Sequence, residues 1–246
     1  MSGHSHAANI AVKKAKTDAA KGKIFTKVGR EIAVAAKNNP DPNTNSKLAD
    51  AIAKAKAANM PNDNIKRCIM KAAGELSGDN FEELTYEGYG PNGSAIIIKT
   101  LTDNKNRTVD YVRTVMRKHG GSLGNSGCVS FTFTTMGIII IERTPEMIED
   151  EVMEHALEAG ADDFIATDDA FEVHTSVASF STVRKYLEEQ GYNFFESQID
   201  MVPQTKITLE SDELVKFKKL VDALEDLDDV QDVYHNVDLP EEDEEE

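Results

Sequence analysis

The pattern of apolar residues along this chain changes near residue 74, from helical spacing alone to strands alternating with helices. Before that point apolar residues recur every three or four positions, the spacing of one helix face. Ile24, Phe25, Val28, Ile32 and Ala35 form a first set, Leu48, Ala51, Ile52 and Ala55 a second, and Ile65, Cys68, Ile69 and Ala72 a third. Asn38-Asn39-Pro40-Asp41-Pro42-Asn43 separates the first two sets, and Asn45 is placed to cap the second helix. Pro61 suits the first turn of the third, where its missing N–H would have no partner anyway. Residues 7–20 are rich in Ala and Lys but lack the bulky apolar stripe that would hold them to a bundle. Residues 1–75 therefore read as a small helical bundle behind a basic arm.

Gly74, Ser77 and Gly78 mark a linker, after which β-branched runs alternate with helical stretches. Ser94–Leu101 reads as a strand, Thr108–His119 as a helix closed by Gly120-Gly121, and Cys128–Phe133 as a second strand. Ile138–Glu142, helix Pro145–Ala159, Phe164–Ala166, Phe171–Ser176, helix Ser179–Gln190 and Phe194–Met201 follow in β-α-β-β-α-β order, the ferredoxin-like succession. Strand Lys206–Leu209, helix Ser211–Leu227 and strand Val230–Val237 complete the chain. The β-α-β stretches on either side of the middle block are each half a unit. The economical solution joins 76–134 with 204–239 and inserts 135–203 between them, leaving 240–246 as an acidic tail. The predicted class is α+β: an N-terminal helical bundle followed by two ferredoxin-like α/β domains, one inserted in the other.

Composition refines this picture more than it changes it. The 246 residues suffice for two or three domains, and 40% hydrophobic content supports real cores. The longest apolar run, Ile138–Ile141, is strand-sized and far short of a membrane span. Met1-Ser2-Gly3-His4-Ser5-His6 carries no apolar leader, so a cytoplasmic protein is expected, with Cys68 and Cys128 as reduced, packed thiols. The net charge of −17 conceals an asymmetry. Residues 1–72 hold 14 Lys and Arg against 5 Asp and Glu, whereas residues 135–246 hold 7 against 32. A polyanion partner at one end only is the physical reading of such a gradient.

The candidate grip consists of Lys13, Lys14, Lys16, Lys21, Lys23, Lys27, Arg30, Lys66 and Arg67, with Lys37, Lys54, Lys56 and Lys71 nearby. Lys23, Lys27 and Arg30 lie at i, i+4 and i+7, one face of the first helix, away from Val28 and Ile32. Such a stripe can neutralise phosphates and gain affinity from counterion release, although exposed lysines more often only solvate a helix. Thr102-Asp103-Asn104-Lys105-Asn106-Arg107-Thr108 joins a strand to a helix, with Asn106 as its cap. Lys105 and Arg107 there either flank an ordinary helix start or receive a phosphate. Glu87-Gly88-Tyr89-Gly90-Pro91-Asn92-Gly93 reads as a tight turn offering Tyr89 as a stacking platform. Asp162-Asp163, Asp168-Asp169 and Asp228-Asp229 sit where turns favour Asp, and the histidines lack ligand spacing. No nucleophile elbow, Walker, H-E-x-x-H or C-x-x-C element occurs, so no enzyme and no cofactor are expected.

Several blocks together resemble the YebC family: Gly3-His4-Ser5, Gly22-Lys23-Ile24-Phe25-Thr26-Lys27, Ala57-Ala58-Asn59-Met60-Pro61, Tyr86-Glu87-Gly88-Tyr89-Gly90-Pro91, Thr102–Thr108 and His119-Gly120-Gly121. That family includes bacterial regulators described as DNA-binding and a mitochondrial translational activator. The resemblance implies a three-domain, non-enzymatic nucleic-acid-binding protein that regulates transcription. Its alternative implication is a ribosome-associated translation factor whose polyanion is ribosomal or transfer RNA. The chain departs from the family at its start, with His6 and Ala7 where Lys and Trp are usual. That shifts weight from the arm to the Lys23, Lys27, Arg30 face. No helix carries a clustered Arg, Asn and Gln set for base edges, and nothing fixes half-site spacing, so the residues lean towards RNA and a monomer is expected.

Overall fold

A computed structural model of the chain describes residues 21–74 and 81–239. The proposed arm with Lys13, Lys14 and Lys16, the linker around Ser77 and Gly78, and the acidic tail lie outside the described residues. Three helices come first: α1 (Lys21–Ala36), α2 (Ser46–Ala57) and α3 (Asn62–Gly74). The predicted stripes meet in one core of Val28, Ile32, Ala36, Leu48, Ala51, Ala55, Met60 and Ile65. Asn45 caps α2 as expected: its Oδ1 accepts the Leu48 amide at 3.1 Å while its side-chain amide donates to Ala35 and Asn39 carbonyls. Pro61 lies one residue ahead of α3, and its carbonyl accepts the Asn64 and Ile65 amides.

The first sheet has the strand order β3-β1-β2-β8 and is antiparallel throughout. Its members are β1 (Glu82–Tyr89), β2 (Ala95–Thr102), the two-residue β3 (Ser122–Leu123) and β8 (Val230–His235). Helices α4 (Lys105–Lys118) and α7 (Ser211–Glu225) cover one face around Ile96, Ile98, Val112, Met116, Phe217 and Leu220. Three expectations are corrected here. Glu82–Tyr89 is a strand paired along β2, so the glycine-rich motif starts inside a strand, and only its second half, with a 3-10 turn at Pro91–Gly93, is the expected tight turn. Lys206–Leu209 contributes only an isolated parallel bridge, Ile207 to Val237, just past the end of β8. Of the expected strand Cys128–Phe133 only Phe133 is strand, and 128–132 is a loop with one 3-10 turn, Ser130–Thr132, for a reason given below.

The second sheet, also four-stranded, follows the order β5-β6-β4-β7. It comprises β4 (Phe133–Glu142), β5 (Asp163–Ala166), β6 (Ala170–Thr175) and β7 (Phe194–Pro203), with α5 (Glu149–Glu158) and α6 (Phe180–Glu189). The element succession is the β-α-β-β-α-β read from the sequence. Ile139, Ile141, Phe171 and Val173 alternate onto the helical face and meet Val152, Val183 and Leu187. Gly137 is required in β4, because a Cβ there would lie 2.3 Å from Thr175 Oγ1 and 2.4 Å from Phe180 Cδ2. By internal packing the chain divides into two compact units, one holding residues 21–73 and 135–201, the other 81–134 and 202–239. Within the former, Arg184 on α6 donates to Asp50 on α2 at 2.8 Å and ties the helices to the second sheet.

Candidate nucleic-acid interface

The described helical region, 21–74, holds eleven Lys and Arg against four Asp and Glu, a net charge of +7. Burying Val28 and Ile32 turns the remaining faces of α1 outward, where Lys23 and Lys37 are exposed and Lys27 and Arg30 half-buried. Lys21 opens the same helix. On α3, burial of Ile65 turns Lys66, Arg67 and Lys71 to solvent, with Met70 64% exposed among them. Lys47 and Lys56 are exposed on α2, whereas Lys54 pairs with Glu31 at 3.0 Å. The result, among the described residues 21–74, is a helical surface with cations on every helix and an excess of positive charge. The chemistry of such a surface suits charge attraction to phosphates rather than readout of base edges.

Lys105 and Arg107 belong to the other compact unit. Asn104, not Asn106, caps α4: its Oδ1 accepts the Arg107 amide at 3.1 Å, and Thr102 Oγ1 holds the Asn104 amide at 2.9 Å. The helix thus starts three residues earlier than expected. Arg107 donates to Asp229 at 2.9 Å and to Asp103 at 2.8 Å, bonds that raise its already high pKa. Asp229 is buried and also accepts Thr108 Oγ1 at 2.8 Å. Arg107 and one of the expected turn aspartates therefore join α4 to the start of β8. Lys105 lies 3.9 Å from Glu82.

Glu87 was legible only as part of a glycine-rich motif. Its carboxylate, 7% exposed, accepts the amides of Gly127 at 2.8 Å, Val129 at 2.9 Å and Ser130 at 2.8 Å. Burial opposes its ionisation, but those amides outweigh it and hold the carboxyl below its ordinary range. These amides would otherwise enter a strand ladder, which is why 128–132 is a loop. No local pattern marks the role, since the partners lie 40 to 43 residues away. Tyr89 Oη donates to the Cys128 carbonyl at 2.9 Å, and the residue remains 41% exposed. Cys68 and Cys128 are free thiols, each raised in pKa first by burial.

In the second sheet, His174 Nε2 lies 2.6 Å from Oε1 of the fully buried Glu172. Burial disfavours the imidazolium, but Glu172, with Asp163 across the strand pair, raises the His174 pKa overall. Among the described residues no group of three or more His, Cys, Asp and Glu is arranged to hold a metal ion, and no helix is long and apolar enough to cross a membrane.

Comparison with known proteins places these features in context. Residues 5–75 match the model of the TACO1/YebC protein N-terminal domain, and 81–237 that of the TACO1/YebC second and third domain. A "Probable transcriptional regulatory protein" of Acetivibrio thermocellus is 57% identical over 238 residues, covering 96% of this chain and 98% of its own. A similarly named protein of Clostridium tetani is 54% identical, covering 98% and 99%. The crystal structure of a conserved hypothetical protein from Aquifex aeolicus superposes with a TM-score of 0.82 at 43% identity, covering 94% of this chain and 96% of that one.

Proposed function

This chain belongs to the TACO1/YebC family, and on that premise we propose that it is a cytoplasmic, non-enzymatic regulator that binds nucleic acid through its N-terminal helical region. Its relatives carry the names of transcriptional regulators, which supports a role at DNA. The observation that carries the binding reading is the +7 surface of α1–α3 in a chain of net −17. Cations gathered on one part of an otherwise acidic protein confine a polyanion to that part. Lys23, Lys27 and Arg30 supply one phosphate-facing stripe, and Lys66, Arg67 and Lys71 a second. The chain acts as a monomer on this reading, without a cofactor. Architecturally, we read the second sheet as a ferredoxin-like unit inserted between the halves of the first.

A second reading, ribosomal or transfer RNA as the polyanion, draws on a specific observation. The exposed side chains of these helices are mainly lysines, which follow a phosphate backbone but discriminate bases poorly. Crosslinking in cells, followed by sequencing of the bound nucleic acid, separates the two. Promoter-enriched DNA supports the first reading; ribosomal and transfer RNA fragments without promoter enrichment replace it with the second. A Lys23→Ala, Lys27→Ala, Arg30→Ala triple should reduce recovery several-fold and flatten the salt dependence by roughly one unit of slope per lost contact. Unchanged recovery would refute the assignment of the site.

A further inference from the structure

Residues 119–141 form a run of 23 positions without one Asp, Glu, Lys or Arg, in a chain that is 29% charged. Strand β4 accounts for the buried end of that run. The other end, 119–132, is loop-rich and open to solvent: Ser122, Gly124, Asn125, Ser126 and Gly127 are exposed. Phe131 stands in it 73% exposed, although its alternate neighbours Val129 and Phe133 are only 1% and 7% exposed. An exposed Phe on a mobile loop would fold back onto apolar surface. This one is prevented from doing so by bonds on both flanks.

Glu87 fixes the amides of Gly127, Val129 and Ser130, and Tyr89 fixes the Cys128 carbonyl. Beyond Phe131, Thr132 Oγ1 donates to the Val129 carbonyl at 2.7 Å, and the Thr132 carbonyl accepts the Gln204 amide at 2.9 Å. At the same end of β1, Gly88 and Tyr89 pair with β3, and the Gly121 amide bonds the Met116 carbonyl at the end of α4 at 2.8 Å. The last turn of α4 and the Phe131 loop are therefore built onto one end of β1. That last turn carries Arg117 and Lys118, both exposed and, among the described residues, neither within an ion pair.

An exposed aromatic side chain held in a stretch of uncharged Gly, Ser and Asn, with two cations on the helix turn built onto the same end of β1, matches the chemistry of an unpaired nucleotide. The ring offers a stacking surface, the small polar residues admit close approach without repelling phosphate, and the cations neutralise the backbone. A basic protein segment would need carboxylates here, and the loop has none. We propose that Phe131 is a stacking platform for an unpaired base of a single-stranded nucleic acid, with Arg117 and Lys118 on its phosphates. The proposal rests on the nucleic-acid reading above and places a second contact in the other compact unit. Tyr89 then positions the loop that bears the platform.

The chain contains no tryptophan, so Phe131→Trp in the full-length protein installs a single reporter that keeps an aromatic face. Titrated with a ten-nucleotide single-stranded RNA, its indole emission should be quenched, whereas a duplex of the same sequence should leave it unchanged. A single-stranded DNA of that sequence is the parallel arm: quenching by RNA, DNA or both supports the platform and identifies the source of the base. Phe131→Ala should weaken single-strand binding roughly 5- to 100-fold, and Phe131→Trp should restore it. Arg117→Ala with Lys118→Ala should lower the slope of log K against log salt by about 1.4, two single-strand phosphate contacts. Unmoved indole emission on a bound single strand, with full affinity in Phe131→Ala, would overturn the platform and leave the helical site standing. Wild-type protein that binds neither strand nor duplex would overturn both.

Discussion

Replacing Glu87 with Gln keeps the shape of the side chain and exchanges one carboxylate oxygen for an NH2 group. In the native chain one oxygen serves Gly127 and the other serves both Val129 and Ser130, at 2.8 to 2.9 Å. The best a glutamine can do is keep its carbonyl on Val129 and Ser130 and face the Gly127 amide with its own N–H. One charge-assisted bond worth about 1.5–3 kcal/mol is then lost and two others fall towards neutral strength, by about 0.5–1 kcal/mol each. The smaller cost of burying a neutral amide offsets about 1 kcal/mol of this, leaving a net loss of about 1.5–4 kcal/mol. Urea denaturation measures the global part, and deuterium uptake over 124–131 the local opening of the loop. Because the folded carboxyl titrates below its ordinary value, its contribution is complete above the unfolded value near 4.3 and disappears as pH falls through the lower folded one. Wild type and variant should therefore differ by a constant amount at neutral pH and converge only in acid. A Gln variant within about 0.5 kcal/mol of wild type, with unchanged exchange at 124–131, would show that the carboxylate does not hold the loop.

The His174–Glu172 pair has the opposite pH sign. With the folded imidazole pKa raised, its stabilisation is complete below the unfolded value near 6.5 and fades as pH rises through the folded value; His174→Gln should flatten that decline in urea titrations across pH 6–9. Gly137→Ala should cost about 1–3 kcal/mol by overpacking against Thr175 and Phe180, read as a lower urea midpoint with unchanged m-value. Asp50→Asn removes the partner of Arg184, whose side chain is 12% exposed, and should cost about 1–2 kcal/mol, between surface and buried pairs. A thermal midpoint for Asp50→Asn equal to that of wild type would show that the helices and second sheet do not depend on this bridge.

The sequence by itself determined the elements whose partners are local or periodic. Three helical stripes, the Asn45 cap and the β-α-β-β-α-β succession of residues 133–203 follow from spacings of a few residues, and each is present. The cations of α1–α3 were legible for the same reason, because a helix of known phase fixes which side chains point away from its core. Strand β1 was not, because Glu82, Glu83 and Glu87 disguise its alternation and only pairing with β2 makes it a strand. The bond that Arg107 makes was not legible, because Asp229 is 122 residues away in sequence and 2.9 Å away in space. The clearest case is Val129, Phe131 and Phe133, whose period of two predicts one strand face. Tertiary structure instead buries the first and third and exposes the second, because a carboxylate some 40 residues upstream takes the amides that a ladder would need. Local chemistry dictates which backbone groups must find partners; only the fold decides which partners arrive.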